Sequence, residues 1–170
     1  MPGLVPGIHV FTLRRDVDGR DKPGHDGGRE TMTFAGLNYL AIVIAAVVAW
    51  LAGAAWYMGL GKLWTAALGM TPEEMHQAKS KPGAHLPFIY AFVAELVMAW
   101  TLAGLLGHIG AVSLRGGIIS GAFVWLGFVA TTLIVNYTFA MRGWRLILID
   151  LGHWLVVLVL MGAIIGAMGA

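Results

Sequence analysis

Three ionisable side chains stand out in this 170-residue chain because they lie inside long apolar stretches: Glu95, Asp150 and His153. A carboxylate or imidazole in such a setting is costly to bury, so it is either a functional group or part of a hydrogen-bonded cluster. Asp150 and His153 are three residues apart and would share one face of a helix. Counted from the starts of their apolar windows, Glu95 lies about 13 Å in, His153 about 10 Å and Asp150 about 6 Å at helical rise. A Glu95–His153 pair is therefore geometrically open. Thr131, Thr132, Asn136 and Tyr137 come to comparable depth on a neighbouring stretch and could complete a polar cluster.

Three chemistries compete for these residues. Glu95 could exchange protons or a cation with a substrate, using His153 as relay. Glu95, Asp150 and His153 could ligate a metal, although their spacing matches no metal motif. They could also be a hydrogen-bonded cluster that fixes helix register, with Asn136 and Tyr137 satisfying the carboxylates. The last reading carries most weight. No G-x-S-x-G, phosphate-cradling loop or H-E-x-x-H occurs, so no catalytic residue, cofactor or metal is assigned and an enzyme is not expected.

The elements that must position these groups follow from composition. The chain is 58% apolar and 12% charged, against about 25% charged residues in soluble domains. A spanning helix needs about 20 mostly apolar residues. Four windows qualify: Leu37–Met58, Leu86–His108, Gly116–Phe139 and Leu146–Met168. Unbroken apolar runs without alternation suit helices, which satisfy their own backbone in lipid. The expected fold is all-α, an integral membrane four-helix bundle with the lipid bilayer as its first partner. With no basic stripe, nucleic acid is excluded as a partner, and with no cysteine, so is thiol chemistry.

Between the first two windows, Leu60, Leu63, Trp64, Ala67 and Leu68 share a helical face, which predicts a short interfacial helix. Thr71-Pro72-Glu73-Glu74 then predicts a second one, opened by a capping box and ending near Lys81-Pro82-Gly83. Small residues recur every fourth position at Ala45, Ala49 and Gly53, at Gly117 and Gly121, and at Gly162 and Gly166. Such faces let helix backbones approach closely. They serve packing within one bundle or, alternatively, a homodimer.

Residues 1–31 are a different kind of sequence, with ten charged side chains, as many as the other 139 positions hold together. Such a segment is expected to stay disordered. Its wording, from Pro2 to Phe11 and from Asp18 to Asp26, resembles peptides translated from short intergenic DNA repeats, which implies that translation starts at Met32. From Met32, Lys62, Lys79, Lys81, Arg142 and Arg145 fall on one side and Arg115 on the other. The 59–85 and 140–145 loops are then cytoplasmic and both termini outside. Including residues 1–31 blurs this asymmetry.

The first window also carries a recognisable pattern: Asn38-Tyr39, Gly53, Trp56-Tyr57, then Lys62 and Trp64. With Gly121, Trp125 to Phe128, Asn136 and Leu148 to Asp150, it resembles the small bacterial membrane proteins catalogued as domain of unknown function 1761, over about residues 36–168. The resemblance implies a four-span inner-membrane protein of unassigned function. It brings no catalytic residues. It also implies that Asn38, Trp56 and Tyr57 matter to the structure, for which anchoring at the membrane interface would suffice.

Overall fold

The computed structural model describes residues 33–34 and 36–169. Expectations about residues 1–31 lie outside them. The described chain opens with a two-residue strand, β1 (Thr33–Phe34), paired antiparallel with β2 (Leu37–Asn38). Gly36 closes the turn between them at a φ of 79°, the left-handed region that glycine enters without a Cβ clash. Six helices follow: α1 (Tyr39–Ala67), α2 (Pro72–Ser80), α3 (Leu86–His108), α4 (Leu114–Val124), α5 (Thr131–Phe139) and α6 (Trp144–Met168). A π-helical turn, Trp125–Ala130, joins α4 to α5. The two form one span, Leu114–Phe139. Four spans are therefore present, α1, α3, α4–α5 and α6, each long and apolar enough to cross a bilayer.

Local chemistry explains where these helices begin. Asn38 caps α1 by accepting the backbone N–H of Ala41, and its amide donates to Met168 O at the end of α6. One side chain thus starts the first span and ties it to the last. The capping box of α2 forms as expected: Thr71 Oγ1 accepts from Glu74 N, and Glu74 accepts from Thr71 N. Ser113 caps α4 through Gly116 N.

One difference concerns the stretch after Met58. Leu60 to Ala67 does not form a separate surface helix; it is the last part of α1, which runs unbroken for 29 residues. At 1.5 Å per residue that is about 43 Å, well beyond a 30 Å hydrocarbon core. Gly59 and Gly61 weaken a helix without obliging it to stop.

The α4–α6 contact is built on glycine. A Cβ added at Gly117 would collide with the backbone of Gly162, one at Gly162 with Gly117 O, one at Gly166 with Ser113 O, and one at Gly121 with Leu158 O. Two helices approach this closely only where side chains are absent. Against the other side of α6, α1 presents buried Ala45, Ala46, Ala49 and Gly53, and α3 adds Ala99, Leu102, Ala103 and Leu106. The small-residue faces read from the sequence thus pack within this one chain. α6 is the central helix, contacting α1, α3 and α4.

Candidate functional site

The polar centre of the bundle is Asp150. Tyr57 Oη, from α1, donates to Asp150 Oδ1 at 2.8 Å. Tyr137 Oη, from α5, donates to Asp150 Oδ2 at 2.7 Å. The carboxylate is 4% exposed, and its two oxygens tie three helices at one point.

His153 lies one turn further along α6, 6% exposed. Its ring centroid is 4.9 Å from that of Tyr57 and 4.9 Å from that of Trp154. It reaches this position because residue 53 is glycine. A Cβ there would lie 2.8 Å from His153 Nε2. Beside it, Gly152 gives room to Trp56, whose Cζ2 would be 2.9 Å from a Cβ at 152. The segment from Gly53 to Tyr57 therefore fits onto the segment from Asp150 to His153 as hollows and rings. Trp64 closes the upper edge, its ring 5.5 Å from Tyr57. Trp56 and Tyr57 are not simple interfacial anchors; they are turned into the bundle. Lys62 is exposed, and Tyr39 packs against the core.

Gly53→Ala is expected to displace the imidazole and lower the melting temperature in detergent, with a loss of about 1–3 kcal/mol typical of overpacking. Gly53→Ala combined with His153→Ala should recover part of that loss. If the double variant is no more stable than the sum of the single ones predicts, the two residues do not share this contact.

Glu95 stands apart, and here the depth read from the sequence is corrected. Along α1 and α6, Asn38 meets Met168, Gly53 meets His153 and Tyr57 meets Asp150. Along α1 and α3, Trp50 Nε1 donates to Phe88 O, its ring meets Phe92, and Leu37 shares a groove with Trp100, Thr101 and Gly104. These registers put Glu95 level with Ala45 and Met161. Met161 is two turns past His153, so the two groups are separated by roughly 12 Å along the bundle. The physical reason is the length of α1: it continues past the level at which α3 begins, so the apolar windows do not start in one plane. Glu95 is 3% exposed, and its Oε2 has no hydrogen-bond partner. His153 Nδ1 and the indole N–H groups of Trp56 and Trp64 are also buried without one.

Three further candidates do not join the cluster. Thr131, Thr132 and Asn136 are exposed on the outside of the third span. Thr131 Oγ1 donates back to Gly127 O and Phe128 O, carbonyls within the π-helical turn. That turn shifts the register of the rest of the span, in which Tyr137 faces inward and its neighbour Asn136, about 100° round the helix, faces out. Among the described residues no group of three His, Asp or Glu side chains converges as a metal site. Trp125, whose Nε1 donates to Leu151 O at 2.9 Å, is a polar tie between the third span and α6 that the sequence does not announce. Of the two tyrosine partners of Asp150, Tyr137 belongs to the cluster read from the sequence, while Tyr57 could have been sought as an aromatic hydroxyl at the same end of another span.

A bundle of four apolar spans with polar groups buried between them defines a small multi-pass membrane protein. Its family follows from the sequence match: residues 40–166 fit the model described as Protein of unknown function (DUF1761), and the chain belongs to that family. The matched segment contains Glu95, Asp150 and His153, while Asn38 and Tyr39 lie just before it. Neither a curated protein nor a solved structure matches the chain.

Proposed function

We propose that the protein is a non-enzymatic accessory bundle of a bacterial inner membrane, its polar residues serving to lock four helices in one register. The observation that carries this reading is the use made of Asp150. Each of its carboxylate oxygens accepts from a phenol of the same chain, so the group already ties α1, α5 and α6 together. Two open grooves lie elsewhere, one lined by residues such as Leu105, Phe123 and Phe128, the other by Leu37, Trp100, Thr101 and Gly104. Neither has Glu95, Asp150 or His153 in its wall. A transport site would require an opening to one of them.

The proposed orientation has the α1–α3 and α5–α6 connections cytoplasmic and both ends of the spanning domain outside. It is supported by Lys62, Lys79, Lys81, Arg142 and Arg145 at one end of the bundle against Arg115 at the other.

A second reading, a small proton- or cation-coupled transporter, is favoured by one observation. Glu95 Oε2 and His153 Nδ1 are buried without partners, and unsatisfied buried groups call for an explanation. Purified protein in liposomes separates the two. The accessory reading expects proton and monovalent-cation flux no greater than in protein-free vesicles, for wild type and Glu95→Gln alike. Flux that Glu95→Gln abolishes, with unfolding unchanged, would establish the transporter instead.

A further inference from the structure

α3 turns Glu95, Ala99, Leu102, Ala103 and Leu106 into the bundle. They recur at three- and four-residue spacing, the stripe by which a helix faces its neighbours. Four of the five are apolar, and Glu95 stands where another apolar side chain belongs. It follows the start of α3 at Leu86 by about 13 Å of helix and lies further still from the end at His108. The residues level with it, Ala45 on α1 and Met161 on α6, are fully buried and offer a methyl group and a thioether.

The ionisable groups of the surrounding elements lie at other places along the bundle. On α1 they are Tyr39, Tyr57 and Lys62; on α6, Arg145, Asp150 and His153; on the third span, Arg115 and Tyr137. His85, Tyr90 and His108 belong to α3 or its cap. Tyr39 is about 9 Å from the level of Glu95 along the axis, and His153 about 12 Å. Lys62, Arg115 and Arg145 are exposed. None of these groups donates to Glu95 Oε2, which is sealed from solvent without a hydrogen-bond partner. Asp150 is the contrast, since each of its oxygens accepts from a phenol. A carboxylate anion in a dry, apolar setting needs a counter-charge or several donors, and the neutral acid costs far less to bury.

We propose that the folded bundle holds Glu95 as an un-ionised carboxylic acid, which makes the fold dependent on one bound proton. The inference holds whether or not the bundle moves a solute. An unfolded chain with Glu95 in water gives that proton up above about pH 4.3, the ordinary value for glutamate. The folded chain keeps it. Above that pH, folding therefore takes up a proton, and stability falls as the pH rises until the buried group itself ionises. The bundle is tightest in acid and loosens in alkali.

The chain has four glutamates, Glu30, Glu73, Glu74 and Glu95, so glutamate isotope-labelled at its side-chain carboxyl reports on few groups and leaves Asp150 silent. Infrared spectra of the labelled protein in liposomes at neutral pH are expected to contain the shifted carbonyl band of an un-ionised acid. It should stand beside the carboxylate bands of exposed Glu73 and Glu74, and Glu95→Gln should remove it. Unfolding in a non-ionic detergent across a pH series supplies the second readout. Relative to Glu95→Gln, the unfolding constant of the wild type should rise by up to tenfold per pH unit, the slope of one linked proton. If Glu95→Gln does not fold, the band in the wild type decides by itself. Labelled spectra with carboxylate bands alone, or the same pH dependence in wild type and Glu95→Gln, overturn the proposal.

Discussion

Gly162→Leu is expected to abolish the folded bundle, and Gly162→Ala to leave it measurably weakened. A Cβ at 162 would fall inside contact distance of the Gly117 carbonyl, and a Cβ at 117 would meet Gly162 in return. Neither neighbour is the flexible end of a side chain that could swing aside; both are backbone. The helices must therefore separate. One methyl of overpacking costs about 1–3 kcal/mol, comparable to much of the margin by which a small domain stays folded. Leucine adds three more carbons at the same point. The consequence reaches beyond α4, because α6 also carries Asp150 and His153. If it is displaced, the contact of Gly53 with His153 is lost as well. Thermal unfolding in detergent, followed by helix content, checks the order: wild type above Gly162→Ala, and Gly162→Leu without a cooperative transition. A control at Gly127, where a Cβ meets nothing within 4 Å, should unfold as wild type or slightly later, since alanine favours the helix. Gly162→Ala as stable as wild type would mean that the close α4–α6 contact does not exist.

The large features of this fold are legible in the amino-acid sequence because they depend on sums over many residues. Twenty apolar positions in a row define a span whatever their order, and Thr71-Pro72-Glu73-Glu74 carries its own cap. What depends on the relation between two helices is harder to read. Glu95 and His153 lie at similar distances from their own window starts, yet the windows do not start level, and only the pairing of each helix with α1 reveals it. Asn136 and Tyr137 are adjacent in sequence and so diverge by about 100° around the helix; which of them faces α6 depends on the register, and the π-helical turn before them shifts it. Tyr57 and Trp56 look like interfacial rings by position. Trp56 turns inward because Gly152 leaves a hollow opposite it, and Tyr57 because Asp150 accepts its hydroxyl, relations that a single-helix pattern does not contain. The small residues were informative about close packing, and their partners were not.

Asp150→Ala should be the most damaging substitution among the polar residues, and its cost should exceed that of removing either phenol. Tyr57→Phe or Tyr137→Phe deletes one hydrogen bond and leaves the carboxylate with the other. In membrane proteins such a loss averages about 0.6 kcal/mol and reaches about 1.7. Asp150→Ala instead leaves two half-buried hydroxyls without an acceptor, each at up to the roughly 1–3 kcal/mol of a fully buried group. Asp150→Asn belongs between these limits. Its carbonyl still accepts from one phenol, while its amide must turn a donor toward the other. The geometry also predicts coupling: Tyr57→Phe should cost much less in an Asp150→Ala background than in wild type, and Tyr137→Phe likewise. Unfolding of the full set in one detergent measures these differences. Full additivity of Tyr57→Phe with Asp150→Ala would show that the 2.8 Å contact contributes nothing. The damage should also be local in a particular way. α5 has few contacts with α6 besides the Tyr137 bond, whereas α1 and α4 are held by continuous small-residue faces. Hydrogen exchange in Asp150→Ala should therefore rise first along Thr131–Phe139, and protection in α1 should persist until the whole bundle unfolds.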